Sequence, residues 1–216
     1  MSGLNAGQGR CQGTARLLIK PIQEVIELGA AQDVLNMTLK TVHHANRHAS
    51  AEDFIAVALP TMRMGRNCML PGLEIELIGS DTSLHALLGR EGMLSLRRRG
   101  MLEETEIGDV YAEPGMTGAA YVRDRACEKH TPGWIRRNKA RAERRGKPLG
   151  KLITTRGHDL SALALHYGEL VLHVRELVGE ITGAPILVST YGFSAASAPA
   201  ILPVFPDSAR EVEDAA

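Results

Sequence analysis

The order of strand-like and helix-like segments in the sequence predicts an α+β protein. Between residues 14 and 113 these segments follow one another as strand, helix, strand, strand, helix and strand. This βαββαβ order is typical of a ferredoxin-like domain. A Glu-Pro-Gly sequence at 113–115 indicates a linker. We therefore predict a ferredoxin-like domain at residues 14–113 and a second domain, which carries an arginine-rich helix, at residues 117–206.

Hydrophobic periodicity and capping residues define the six elements of the N-terminal half. The clearest strand pattern lies where Leu73, Ile75 and Leu77 alternate with glutamates. Ser80 or Asp81 can cap the second helix. In chain order the elements are expected at residues 16–25 (strand), 31–46 (helix), 54–59 (strand), 69–78 (strand), 80–89 (helix) and 103–112 (strand).

The second half has a less regular pattern of strand-like and helix-like segments. It could be a degenerate copy of the ferredoxin-like first half. Its expected elements are a strand at 119–125, a helix at 132–145 and strands at 152–155, 160–165 and 186–191, whereas 169–177 suits either a strand or a helix. The first thirteen residues and the last ten are rich in polar and small residues, so we expect disordered tails.

One stretch of the second half, residues 123–151, divides the chain into regions of opposite charge. It contains eleven Lys or Arg residues and three acidic residues, a local charge of +8 in a chain whose formal net charge is zero. The other 187 residues carry 14 basic and 22 acidic side chains. This asymmetry predicts a polyanionic partner.

The helix expected at 132–145 concentrates that positive charge. Thr131 suits the N-cap, Pro132 the first helical position and Gly146 the position after the last turn. One acidic residue, Glu143, cannot neutralise the six basic residues Arg136, Arg137, Lys139, Arg141, Arg144 and Arg145. A solvated basic face is the plain alternative. We favour a nucleic acid, because bound phosphates would remove the repulsion between like charges.

Composition excludes several classes of protein and site. Eight aromatic residues are too few for an extended platform of stacked bases. Cys11, Cys68 and Cys127 are far apart and lack C-x-x-C spacing, which argues against a disulfide framework and a zinc site. Because the sequence has no long apolar run and no signal peptide, we expect a cytoplasmic protein without a membrane partner. We also expect that it needs no cofactor.

Four local patterns together resemble one protein family. In chain order they are Lys40-Thr41-Val42-His43-His44-Ala45, Val57-Ala58-Leu59-Pro60, Tyr121-Val122-Arg123-Asp124-Arg125 followed by the arginine-rich helix, and Tyr191-Gly192-Phe193-Ser194. With these patterns the chain is similar to the Csy-type CRISPR RNA-processing endoribonucleases of type I-F systems and their type IV relatives.

The resemblance implies an endoribonuclease that binds the stem-loop of a CRISPR repeat and cleaves at its 3′ side. The cut would proceed by metal-independent attack of a 2′-hydroxyl, which leaves a 2′,3′-cyclic phosphate. The enzyme would remain bound to the mature guide RNA. Its partners would be the precursor and mature CRISPR RNA and the other subunits of an effector complex.

The resemblance also suggests which residues hold the RNA. Arg125 falls where the family has a base-reading Arg, whereas Cys127 stands in the place of a base-reading Gln. Arg side chains suit phosphates and guanine edges because the guanidinium donates bidentately. We predict RNA contacts at Arg123, Arg125, Arg136, Arg137, Lys139, Arg141, Arg144, Arg145 and Arg156.

A histidine on the first helix performs the proton transfer in the family, and two neighbours qualify here. A His whose pKa lies near neutrality suits this chemistry. His43 and His44 point about 100° apart on a helix, so only one can face a given phosphate. Alignment on Ala45 favours His43. Tyr191 would orient the His or donate a hydrogen bond to the phosphate, and the alternative is a tyrosine packed at a sheet edge.

One position departs from the family pattern. A Ser of the family's active site corresponds to Gly157, and Thr155, Arg156 or His158 could take over its role. We expect the scissile phosphate between His43 and Tyr191.

Other interpretations remain open at this point. His44, His48 and Glu52 have the i, i+4, i+8 spacing of metal ligands, but a helix end at 49–51 argues against a metal site. The three arginines at 97–99, after the second helix, could contact RNA, and the plain alternative is a solvated loop. The alternative function is a non-catalytic ferredoxin-like RNA-binding module, and a DNA-binding protein would show similar affinity for duplex DNA.

Overall fold

Five helices and four β-sheets make up the described part of the chain, which comprises residues 7–66, 68–124, 132–146, 162–167 and 170–203 of a computed structural model. The N-terminal half contains β1 (Gln8–Cys11), β2 (Ala15–Ile19), α1 (Gln23–Glu27), α2 (Ala31–His48), β3 (Ala56–Ala58), β4 (Arg63–Met64), β5 (Met69–Leu70), β6 (Ile75–Gly79), α3 (Asp81–Leu88), α4 (Glu91–Arg98) and β7 (Ile107–Asp109). The C-terminal half contains β8 (Thr117–Arg123), α5 (Pro132–Arg145), β9 (Leu163–Tyr167), β10 (Leu170–Glu180), β11 (Ile186–Ser189), β12 (Ser194–Ala195) and β13 (Leu202–Pro203). The protein is thus of the α+β class.

The sheet of the N-terminal half has the strand order β3-β6-β2-β7, and every pair of neighbours is antiparallel. Leu77 on the central strand β6 lies opposite both Leu17 and Val57, and all three side chains are fully buried. α2 contributes an apolar stripe at helical spacing, of which Leu39 and Val42 belong to the same core. The sheet and α2 therefore share one hydrophobic core.

Capping at α3 follows from the local sequence. The Ser80 hydroxyl accepts a hydrogen bond from the Ser83 backbone N–H at 3.0 Å, and the Ser83 hydroxyl accepts one from the Ser80 N–H at 3.1 Å. This reciprocal capping satisfies two backbone donors at the start of the helix. Gly89 ends the helix. The predicted helix start and end are confirmed.

The sheet of the C-terminal half has the order β12-β8-β10-β9, and β13 also pairs with β8. β10 pairs antiparallel with β8 on one side and with β9 on the other, whereas β12 runs parallel to β8. Tyr121 of β8 is buried among core residues of both halves, and its hydroxyl donates to the Glu176 carboxylate at 2.9 Å. The core is therefore continuous across the predicted linker, and the domain boundary itself stays a prediction.

The segment 7–13 corrects the expectation of a disordered N-terminal tail. β1 pairs antiparallel with β11 from the other end of the chain. Cys11 is buried there, and burial raises the pKa of its thiol to about 11. Gly and Gln have weak strand preference, so the local sequence did not indicate this strand; pairing with β11 supplies the stability. The expected C-terminal tail lies outside the described residues.

Several expected strands are shorter than their patterns. The strand expected at 16–25 ends at Ile19, and α1 occupies residues 23–27 after Pro21. The strand expected at 69–78 is divided into β5 and β6, because Pro71 and Gly72 lie between them. The last strand of the half is restricted to β7. The ambiguous segment 169–177 forms part of β10, and the strand expected at 152–155 lies outside the described residues.

The alternating pattern of β6 conceals a buried carboxylate. Glu76 is 3% exposed, although an acidic residue in such a pattern normally faces solvent. Burial raises its pKa to about 7, while the Arg16 guanidinium, 3.6 Å away, lowers it in part. Tyr121 of the C-terminal half is close enough for the Glu76 carboxylate to raise its pKa. Both faces of β6 are buried.

Candidate active site and nucleic-acid interface

His43 of α2 packs face to face with Tyr191, which follows β11. The two ring centroids are 4.1 Å apart and the ring planes differ by 11°. His43 is half-buried, and its Nδ1 atom is buried. Residues separated by most of the chain are thus brought into direct contact at the junction of the N-terminal and C-terminal halves.

The environment of His43 favours the neutral imidazole. Burial lowers the pKa of His43 below its ordinary value, and a backbone hydrogen bond at Thr190 opposes this effect. The positive charge of Arg47 and the neighbouring His44 lower the pKa further. A ring that is neutral at physiological pH can accept a proton.

A tight turn presents Tyr191 to α2. The Gly192 N–H donates to the Ser189 carbonyl at 2.8 Å, and the Ser189 N–H donates to the Phe193 carbonyl at 2.9 Å. Gly192 has a φ of +83°, a conformation that favours glycine, and a Cβ there would lie 2.4 Å from Cγ2 of Val57. The Val57 N–H donates to the Gly192 carbonyl at 2.9 Å. The turn is therefore held against the edge strand β3.

Asn46 connects α2 to this turn and is 1% exposed. Its side-chain amide donates to the carbonyls of Ile55 at 2.9 Å and Thr190 at 3.3 Å, and its carbonyl accepts from the Ile55 N–H at 2.8 Å. Asn46 lies one helical turn after His43, and Thr190 precedes Tyr191. One side chain thereby fixes the spacing between the two stacked rings.

Arg123, the last residue of β8, completes the cluster. Its guanidinium carbon lies 5.4 Å from the centroid of the Tyr191 ring, within the range of a cation–π contact. Ala195, four residues after Tyr191, pairs with Arg123 across β12 and β8. Arg123 therefore lies at the His43–Tyr191 pair, a position that its place in the basic stretch did not indicate.

His44 faces away from Tyr191, toward the start of α4. Its Nδ1 atom lies 3.1 Å from the guanidinium of Arg90, and its ring lies 4.7 Å from that of His48. A guanidinium can only donate, so His44 Nδ1 is the acceptor in this contact. The geometry separates the two candidate histidines, with one at Tyr191 and the other at Arg90.

The arginine-rich helix α5 has the predicted bounds, and Gly146 follows it with a φ of +59°. Its half-buried residues form one stripe, Trp134, Ile135, Asn138 and Ala142. All six basic side chains predicted to contact RNA on this helix are exposed: Arg136, Arg137, Lys139, Arg141, Arg144 and Arg145. The helix therefore presents a cationic surface. Outside the helix, Asp124, one of the three acidic residues of the stretch, is paired with Arg175 at 2.5 Å.

Some predicted residues lie outside the described part of the chain. These are Arg125, Cys127, Thr131, Thr155, Arg156, Gly157 and His158. The candidate metal ligands His44, His48 and Glu52 do not form a cluster. The carboxylate of Glu52 lies 3.8 Å from Arg10, and the described residues contain no group of three potential metal ligands. Arg97, Arg98 and Arg99 are all exposed, and Arg98 is also paired with Glu91. The expectation of a loop is wrong for Arg97 and Arg98, which form the last turn of α4.

Sequence reasoning missed Asn46, the role of Gly192 and the site position of Arg123. A buried Asn within an amphipathic helix was the available signal, because a polar residue on an apolar face usually has a specific hydrogen-bond partner.

Comparisons with known proteins add no family assignment, since no protein-family model matches the chain and no curated protein matches its sequence. None of the helices in the described ranges combines the length and apolarity required to cross a membrane.

Proposed function

We propose that the protein is a metal-independent endoribonuclease that binds an RNA stem-loop and cuts it at the edge of the stacked His43–Tyr191 pair. The observation that carries this proposal is the stacked His43–Tyr191 pair with Arg123 over the tyrosine ring. A proton acceptor, a phenolic donor and a guanidinium at one point can together support transfer of an RNA phosphate without metal.

Each of the three residues has a distinct role in the proposed reaction. His43 removes the proton of the 2′-hydroxyl, whose oxygen then attacks the adjacent phosphorus while the bond to the 5′ oxygen breaks. The lowered pKa of His43 keeps the imidazole neutral for this step. Tyr191 orients the ring and donates to a phosphate oxygen, and Arg123 stabilises the additional negative charge. The leaving 5′ oxygen takes a proton from water, and His43 afterwards returns the proton that it accepted to the solvent. The products carry a 2′,3′-cyclic phosphate and a 5′-hydroxyl.

The fold is compatible with a ferredoxin-like arrangement, which we propose for residues 14–113. Apart from the β4–β5 hairpin, its strands come in the order β2, β3, β6 and β7 along the chain and β3-β6-β2-β7 in space. Helices follow the first and third of these strands. This connection of antiparallel strands supports the split βαβ topology expected from the sequence.

The stem of the RNA is proposed to lie along α5. Six exposed cations on one helix suit the phosphates of a short A-form stem, whose major groove opens toward the loop. The similarity to the Csy-type family suggests a CRISPR repeat as this stem-loop. It further suggests that the protein keeps the mature guide RNA and acts in the cytoplasm as a subunit of an effector complex.

Cleavage in excess EDTA tests the enzymatic proposal. RNA that co-purifies with the protein from its native host is sequenced, and the recovered stem-loop is then used as substrate. We expect cleavage without metal, and none when a 2′-deoxynucleotide replaces the residue before the cut, since the attacking oxygen is then missing. Stem-loop binding without cleavage would favour the non-catalytic module, and equal affinity for duplex DNA would favour a DNA-binding protein.

A further inference from the structure

Ser194, three residues after Tyr191, is a polar residue in a buried position. It is 3% exposed, and its hydroxyl donates to the Tyr121 carbonyl of β8 at 3.3 Å. Burial of a hydroxyl costs free energy unless the group is hydrogen-bonded. An alanine would fill nearly the same space without that cost. The serine at this position therefore indicates that its bond to β8 contributes more than packing.

The hydrogen bond of Ser194 lies beside Arg123. In the parallel pairing of β12 with β8, Ser194 is opposite Val122 and Ala195 is opposite Arg123. Tyr121, the acceptor, lies two residues before Arg123, so the two side chains point to the same face of the strand. Ser194 is thus bonded to the part of β8 that carries the guanidinium of the site.

The contact between Arg123 and Tyr191 depends on the register of β12. This strand has two residues, so its backbone pairing with β8 specifies the register weakly. A strand advances by about 3.3 Å per residue, and a slip by one residue would move Tyr191 along β8 by about that distance. The guanidinium carbon now lies 5.4 Å from the ring centroid, and a cation–π contact extends to about 6 Å. A slip would therefore break the contact, and the Ser194 bond favours the register that keeps it.

Asn46 and Ser194 connect opposite ends of the Tyr191 turn to different parts of the site. Before Tyr191, the Asn46 amide donates to the Thr190 carbonyl and links the turn to α2, which carries His43. After Tyr191, Ser194 links the turn to β8, which carries Arg123. Both side chains are almost completely buried. The first link relates Tyr191 to the proton acceptor, and the second relates it to the guanidinium.

We infer that Ser194 is a positioning residue of the proposed reaction, which holds Arg123 over the Tyr191 ring so that the guanidinium can stabilise the charge on the phosphate. The inference rests on the proposed function. Because the Ser194 hydroxyl is buried and bonded to a backbone carbonyl, it touches no substrate and transfers no proton. Its effect on the reaction passes through Arg123.

The test is a double-mutant cycle of Ser194→Ala and Arg123→Gln in the full-length protein, measured by single-turnover cleavage of the recovered stem-loop at saturating protein. Arg123→Gln should lower the rate by about 10²- to 10³-fold, the range for loss of one stabilising donor. Ser194→Ala should lower it by about threefold to thirtyfold, because Arg123 is present but displaced. In the Arg123→Gln background, Ser194→Ala should change the rate by less than about twofold.

Three further measurements separate positioning from a general loss of structure. Ser83→Ala removes another buried serine hydroxyl, which bonds within the cap of α3, and should keep the rate within about twofold of the parent. Ser194→Cys keeps the size of the side chain and a weak donor, and should restore part of the rate. The pH of half-maximal rate should not change in Ser194→Ala, since Ser194 is bonded to Tyr121 and not to the groups that shift the pKa of His43.

A rate equal to that of the parent in Ser194→Ala would overturn the inference, and so would an equal reduction by Ser194→Ala in the presence and absence of Arg123. If Ser194→Ala does not fold, Ser194→Cys takes its place in the cycle, and the same two outcomes would overturn the inference. A parent protein that cuts no stem-loop would overturn the proposed function and the inference together, so the two failures are distinguishable.

Discussion

The two basic helices, α2 and α5, are held in the fold in different ways. α2 buries eight of its eighteen side chains and connects to β3 and the Tyr191 turn through Asn46. α5 has a half-buried stripe, and none of its described side chains is fully buried. Proton transfer requires atoms placed within fractions of an ångström, whereas long cationic side chains can adapt to phosphates. Changes in α2 should therefore impair catalysis and stability, and changes in α5 should impair RNA binding alone.

The largest expected effect is on cleavage by His43→Ala. Loss of the general base should reduce the cleavage rate by about 10² to 10⁴-fold. Because His44 faces Arg90, His44→Ala should cut within a few-fold of the parent. Single-turnover cleavage of the recovered stem-loop measures both, and stem-loop affinity serves as the folding control. The opposite ranking of the two variants would contradict the assignment of His43.

Neutralisation of the positive charges on α5 tests whether this helix acts in RNA binding alone. Replacement of Arg137, Arg141, Arg144 and Arg145 by Gln should weaken stem-loop binding by roughly tenfold to a thousandfold, the range for four exposed charges. The salt slope should become shallower by about 3. The free energy of unfolding should stay within about 0.5 kcal/mol of the parent, since these residues are exposed. A large loss of stability, measured by urea unfolding, would show that α5 is integral to the core.

Asn46→Ala should affect both stability and cleavage. It leaves the N–H and carbonyl of Ile55 and the carbonyl of Thr190 without their partner, at a cost of about 2–4 kcal/mol in the free energy of unfolding. Cleavage should fall at protein concentrations where the variant is folded, because the His43–Tyr191 spacing is no longer fixed. Asn36→Ala, on the same helix but with a surface hydrogen bond from Gln32, is the matched control and should change stability little.

Glu76 makes the stability of the protein dependent on pH, with a smaller expected effect. Its pKa is about 7 in the folded protein against 4.5 ordinarily, so the unfolded chain releases the proton first. Stability should therefore decrease as pH rises from 4.5 toward 7 and then level off. Glu76→Gln should remove this component, which amounts to about 1–3 kcal/mol. Urea midpoints at acidic and alkaline pH measure it. An unchanged pH dependence in the variant would assign the titration to another group.

Elements whose limits are encoded locally were predictable from the sequence. Pro132 and Gly146 define α5, and Ser80 and Gly89 define α3, because capping depends on residues within one turn. The α2 stripe similarly predicted its packing face. His43 and Tyr191 entered the prediction through local resemblance, and the fold brings their rings to 4.1 Å.

Features that depend on distant partners were not predictable in this way. β1 is a strand because β11 is available, although its Gly and Gln residues favour no strand. Glu76 belongs to an alternating pattern that indicates one solvated face, but every residue of β6 is buried. Arg123 appeared to belong to the basic surface, but the pairing of β8 with β12 directs the end of the strand to Tyr191.

The Tyr191 turn also has a consequence for the timing of activity during protein synthesis. Its backbone is bound at Gly7, Asn46 and Val57, and the Asn46 contact to Thr190 spans 144 residues of sequence. Contacts of such long range form late, since the intervening chain must first be made and closed into a loop. A nascent chain on the ribosome therefore carries His43 long before Tyr191 arrives beside it. Translation itself would delay assembly of the proposed cutting site until the arginine-rich helix α5 has emerged.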